Sequence, residues 1–106
     1  MNSLKKSKAK FEIIKFVRSN LEMFNSFSKV YLFGSVLYKD YQHFNDIDLL
    51  IIYSNFTGKI FDNIKQINNE MSYQFNIPID LTVLSEKEEK QVNFLERVEP
   101  FYIRLK

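Results

Sequence analysis

Asp46-Ile47-Asp48-Leu49-Leu50-Ile51-Ile52-Tyr53 decides the fold class of this chain. A short run of apolar and β-branched residues reads as a strand. Two carboxylates stand at its mouth, one on each side of Ile47. Strand side chains alternate between faces, so residues two apart point the same way. Asp46 and Asp48 therefore project together, with Leu50 and Ile52 following on that face. A strand is expected over 47–53, with its charge at the entrance and its apolar body behind.

Outward from this strand the pattern alternates. Val30-Tyr31-Leu32-Phe33 is a second buried strand, closed by Gly34-Ser35. Ile79-Asp80-Leu81-Thr82-Val83-Leu84 is a third, and 101–105 a short fourth. Phe11, Ile14, Val17, Leu21 and Phe24 recur every three or four residues, predicting an amphipathic helix over about 4–25. One helical turn and a loop are expected over 36–45. Thr57 is placed to cap a second helix with Ile60, Ile64, Ile67, Met71 and Phe75 inward, stopped by Asn76 and Pro78. Ser85-x-x-Glu88 is a capping box opening a helix over 86–98, with Val92, Leu95 and Val98 inward and Pro100 after it. The order helix, strand, short helix, strand, helix, strand, helix, strand predicts an α/β (α+β) fold with helices against one sheet.

The chain has 106 residues, enough for one domain, expected over 1–106. Apolar residues make up 45%, so a real core is available. A net charge of +2 is too mild to indicate a polyanion partner, and no basic stripe marks a nucleic-acid binder. Cysteine is absent, which excludes a disulfide scaffold, a thiolate metal site and a thiol nucleophile. His43 is the single histidine, so a His-rich metal site is excluded too. No apolar run approaches the length of a membrane span, and no secretory signal is seen. The cytoplasm is the expected compartment.

Chemistry then rests on carboxylates. Asp80 opens its strand much as Asp48 enters the one before. If those strands are neighbours, three carboxylates converge. Like charges at close range raise one another's pKa, so such a cluster is costly without cations. Oxygen ligands with no His or Cys suit Mg²⁺ or Mn²⁺. Taken alone, Asp-x-Asp at a strand start is usually a turn or cap feature, and Gly-Ser after a strand is usually a turn. Gly34 nevertheless permits close backbone approach, and N–H groups at a helix start can hold phosphate oxygens.

Together, Leu32-Phe33-Gly34-Ser35, ten intervening residues and Asp46-Ile47-Asp48-Leu49 resemble the signature of the polymerase-β-type nucleotidyltransferase superfamily. Asp80 matches its third carboxylate. The resemblance spans nearly the whole chain and is closest to the minimal nucleotidyltransferases, several of which act as antitoxins beside a HEPN-domain toxin. It implies a mixed sheet of about four strands. It also implies metal ligation by Asp46, Asp48 and Asp80, with Asp80 helping to deprotonate the attacking hydroxyl. Gly34 and Ser35 would hold the phosphates of ATP. The implied reaction is transfer of AMP to a hydroxyl, a tyrosine of the toxin.

The chain also departs from the pattern. Many minimal members continue Gly-Ser-x-Ala-Arg-Gly, with Ser before the first Asp. Here the run is Gly34-Ser35-Val36-Leu37-Tyr38-Lys39, and Asn45 precedes Asp46. Lys39 is placed to supply the missing positive charge, or is simply solvated. Tyr38 and Tyr41 are read as loop aromatics packing on their own domain. No second domain for template, tRNA or antibiotic is expected, so the acceptor's surface must come from a partner protein or a homo-oligomer. A module that keeps the fold and neutralises a partner by contact is the alternative.

Overall fold

The computed structural model describes residues 6–37, 46–98 and 101–106. Tyr38, Lys39, Tyr41, His43, Asn45 and Pro100 lie outside the described residues. Helix α1 (Lys6–Ser19) leads through a 3-10 turn (Leu21–Phe24) to β1 (Lys29–Phe33). A second 3-10 turn (Ser35–Leu37) precedes β2 (Ile47–Tyr53), α2 (Lys59–Phe75) and β3 (Ile79–Ser85). Helices α3 (Glu86–Val92) and α4 (Phe94–Val98) and strand β4 (Tyr102–Arg104) complete the order.

The four strands form one mixed sheet in the order β3-β2-β1-β4. β1 is antiparallel to both β2 and β4, whereas β2 and β3 run parallel, joined by α2 as the crossover. The parallel pair is in register, Ile47 opposite Ile79 and Asp48 opposite Asp80.

Both faces of β2 are covered. Ile47, Leu49 and Ile51 join Val30 and Leu32 against α1 and α2. Leu50 and Ile52 face the other way with Tyr31, beneath Phe94 and Leu95 of α4. Asp48 shares this second face by alternation. Alternating strands and two covered faces make β2 the central plank from which the site is hung.

Four sequence expectations are corrected. The first helix ends at Ser19, where the Asn20 side chain donates to Phe16 O at 2.8 Å. Its buried stripe is Ala9, Ile13 and Val17, while Phe11 is 63% exposed and Leu21 lies on the outside of the 3-10 turn. Val17 and Phe24 are buried and Ile14 packs against the core as expected, so the stripe is corrected at Phe11 and Leu21, and Ala9 and Ile13 take inward places. Thr57 does not cap α2 through its side chain. Gly58 is the N-cap, and Thr57 contributes its carbonyl to Ile60 N–H at 3.1 Å. The helix expected over 86–98 is two helices, divided by Asn93 in the left-handed region (φ 51°). That break turns Phe94 and Leu95 down onto the sheet and leaves Val92 exposed. β4 is shorter than 101–105, although Leu105 is buried. The capping box stands as read: Glu88 N–H donates to Ser85 Oγ at 3.0 Å, and Ser85 N–H to Glu88 Oε1 at 2.8 Å.

Candidate metal and nucleotide site

Ile47 N–H donates to Pro78 O at 2.9 Å, which ties the mouths of β2 and β3 together. That bond and the parallel register set Asp80 directly beside Asp48 on one face. Asp46 is the residue before β2 and shares the side of Asp48. Carboxylate oxygens of all three lie within 4.8 Å of one another. Asp46 and Asp48 are half-buried and Asp80 is exposed. The convergence expected from sequence is thus present in the fold.

Electrostatics follow from this packing. The Asp48 carboxyl is pushed up from 3.8 to about 7, first by burial, then by the charges of Asp46 and Asp80, and by a hydrogen bond with Asp80. A carboxyl held this high has lost much of its hydration to burial and faces two like charges. Three oxygen donors of like charge at one strand mouth suit a hard divalent ion such as Mg²⁺, which would restore the charged form.

Gly34 stands against the same carboxylate. Its φ is +88°, and its N–H donates to Phe101 O at 3.3 Å. A Cβ there would collide with Asp48 Oδ2 and lie 3.1 Å from Asp48 Cγ. The glycine is therefore required by Asp48 as well as by the turn. Ser35 opens the 3-10 turn behind it, and Leu37 N–H donates to Gly34 O at 3.0 Å. Lys39 lies outside the described residues.

Residues 12–98 match the family described as Polymerase beta, Nucleotidyltransferase. The chain belongs to this nucleotidyltransferase family. Among curated proteins, none matches its sequence significantly. Two solved structures share its fold. One is a crystal structure of the toxin–antitoxin MntA-HpeT carrying two Asp-to-Glu substitutions two positions apart, 20% identical with a TM-score of 0.56. The match covers 97% of this chain and 73% of that one. The other is a candidate nucleotidyltransferase from Sulfolobus solfataricus, 21% identical with a TM-score of 0.52, covering 97% of this chain and 87% of that one.

As a member of this nucleotidyltransferase family, the chain presents features at this site that the sequence did not disclose. Strand register places Phe33 opposite Asp48 and Tyr102 opposite Phe33, so Asp80, Asp48, Phe33 and Tyr102 form one row across four strands. Phe94 of α4 packs edge-on against Phe33, ring centroids 5.2 Å apart. The alternation of β1 carried part of this signal; the docking of α4 left none. An open groove of about 410 Å³, lined by Ser28, Ser54, Thr57 and Lys106, lies at the other end of β2 and contains no carboxylate. Among the described residues, no helix is long and apolar enough to cross a membrane.

Proposed function

We propose that this nucleotidyltransferase uses Mg²⁺, or Mn²⁺, to transfer AMP from ATP to a hydroxyl of a partner protein, and that it acts as an antitoxin. The observation that carries the reading is the convergence of Asp46, Asp48 and Asp80 at one strand mouth, with the Asp48 carboxyl pushed up to about 7. A scaffold gains nothing from that repulsion, whereas a cation site uses it.

Asp46, Asp48 and Asp80 would hold the metal ions, which when bound neutralise charge on the reacting phosphate and on the leaving oxygen. Gly34 leaves room for phosphate oxygens, and Ser35 offers its hydroxyl and main-chain N–H. By its place in the sequence, four residues after Ser35, Lys39 would supply a point charge. The acceptor oxygen bonds to the α-phosphorus, the bond from that phosphorus to pyrophosphate breaks, and the hydroxyl proton passes to Asp80. Pyrophosphate departs with the electron pair.

The antitoxin role is supported by the shared fold with MntA-HpeT, whose two substituted aspartates have the spacing of Asp46 and Asp48. The acceptor, a tyrosine of a HEPN-type ribonuclease toxin, comes from the family resemblance. The absence of arginine in Gly34-Ser35-Val36-Leu37-Tyr38-Lys39 favours a second reading, neutralisation by contact without catalysis.

A HEPN protein encoded by the neighbouring reading frame would identify the partner. Incubating that partner with this protein, Mg²⁺ and labelled ATP, GTP, CTP or UTP then separates the readings. Label transfer from ATP that Asp46→Asn with Asp48→Asn abolishes supports catalysis. Full transfer by that double variant sinks the assignment of the carboxylates, and inhibition of the partner without transfer supports contact.

A further inference from the structure

The chain has three arginines, and two of them are committed to its own main chain. Arg18 donates to Arg104 O at 3.4 Å, and Arg104 Nε donates to Lys106 O at 2.8 Å. Arg97 differs. Its guanidinium lies over the ring of Phe94, 5.9 Å from the centroid, and it forms no ion pair among the described residues. Phe94 packs on Phe33, and Phe33 is the register partner of Asp48. Adjacent strands are about 4.8 Å apart. A contact chain Asp48, Phe33, Phe94, Arg97 therefore runs along one face of the sheet, from the carboxylate cluster to a cation.

Two structural facts fix that cation. Asn93 in the left-handed conformation separates α4 from α3, and Arg97 N–H donates back to Asn93 O at 3.2 Å. Phe94 and Arg97 are three residues apart, so they share the side of α4 that meets Phe33. The ring holds one face of the guanidinium by cation–π attraction. Among the described residues none accepts from the in-plane N–H donors, and these are the donors that match phosphate oxygens two at a time.

We propose that Arg97 binds the terminal phosphates of the nucleoside triphosphate held at the Asp46, Asp48 and Asp80 cluster, with α4 as the wall of that site. This rests on the nucleotidyltransferase reading above. Charge balance supports a phosphate over a base. Three carboxylates and a tetra-anionic triphosphate outweigh two divalent ions, and the excess calls for a further positive group. Among the described residues, Arg97 is the arginine without a main-chain acceptor for its guanidinium. It takes the position that an arginine in the loop after Ser35 does not fill here.

Titration calorimetry on the whole chain with Mg²⁺-ATP and Mg²⁺-tripolyphosphate tests this. Arg97→Gln keeps a stem over Phe94 and removes the charge; Arg97→Lys keeps the charge and removes the fork. Arg97 is exposed, so both variants should melt with the wild type. The expected result is an affinity loss of about tenfold in Arg97→Gln for both ligands, with partial recovery in Arg97→Lys. Unchanged ATP affinity in Arg97→Gln overturns the proposal while leaving the nucleotide site intact. An ATP loss without a matching tripolyphosphate loss assigns the contact to base or ribose and also overturns it. Failure of the wild type to bind Mg²⁺-ATP at all removes the nucleotide site itself.

Discussion

Gly34 and Asp48 occupy the same space to within one methyl group. A Cβ on Gly34 would strike Asp48 Oδ2, with Asp48 Cγ at 3.1 Å and Cβ at 3.3 Å. The turn that ends β1 and the carboxylate at the entrance of β2 are thus one unit. Metal binding and phosphate-loop geometry cannot be altered separately at this point.

A double-mutant cycle measures this unit. Gly34→Ala should destabilise the protein by about 1–2 kcal/mol from its positive φ alone, and by more from the collision. In an Asp48→Ala background the colliding oxygen and Cγ are gone, so the backbone part and the milder 3.3 Å contact with Cβ should remain. Urea unfolding of the four proteins gives the coupling. An equal cost of Gly34→Ala in both backgrounds would show that the contact with Asp48 is not what excludes a side chain.

Asn93 offers a second test, because it sets where α4 lands. Its φ of 51° suits glycine and asparagine and disfavours other residues. Asn93→Gly should leave stability nearly unchanged, while Asn93→Ala should cost about 1 kcal/mol or more. Asn93→Ala should also favour a continuous helix through 86–98 and lift Phe94 from Phe33. Loss of the Phe33 to Phe94 ring contact in nuclear Overhauser spectra of Asn93→Ala, and its retention in Asn93→Gly, is the expected pattern.

These two positions show what was legible in the chain. The strands followed from short apolar β-rich runs, the helix between β2 and β3 from recurrence every three or four residues, and the meeting of Asp46, Asp48 and Asp80 from charges at strand mouths once those strands were taken as neighbours. Such local signals survive tertiary packing. The face of α1 followed only in part: Val17 is buried and Ile14 packs on the core, but Phe11 outweighs Ala9 in any reading by hydrophobicity. Contact with the sheet selected Ala9 and Ile13 beside Val17. Asn93 gave no break signal, being a single polar residue in a helical pattern. The partnership of Gly34 with Asp48 was hidden because it depends on register between two strands. The glycine was legible as a close approach, but the group approaching it was not.

Metal and nucleotide should bind together. Mg²⁺ by itself should raise the melting temperature little, since a partly exposed carboxylate cluster leaves much of an octahedral shell to water. Mg²⁺ with ATP should raise it more than ATP alone, as phosphate oxygens complete that shell. The Asp46→Asn, Asp48→Asn double variant should lose the Mg²⁺-dependent part. Equal shifts from ATP with and without Mg²⁺ would count against a metal held between carboxylates and phosphates.

Stability should also depend on pH through Asp48. Its pKa is about 7 in the folded protein against an ordinary value of 3.8. Between those values the native state binds a proton that the unfolded chain lacks, so stability must fall as pH rises. The contribution is fully present below about pH 4 and is lost as pH passes through about 7. Asp48 is only half-buried, so screening reduces the effect to about 1–2 kcal/mol between pH 5 and 8. Asp48→Asn carries no such charge, and without metal it should be the more stable protein at pH 8. Subtracting its unfolding free energy from that of the wild type at each pH removes the titration of all other groups. Saturating Mg²⁺ should flatten the difference, because the ion stabilises the carboxylate that repulsion and burial disfavour. A wild-type minus Asp48→Asn difference independent of pH from 5 to 8 would mean that Asp48 is an ordinary ionised carboxylate, and that the cluster is not poised for a cation.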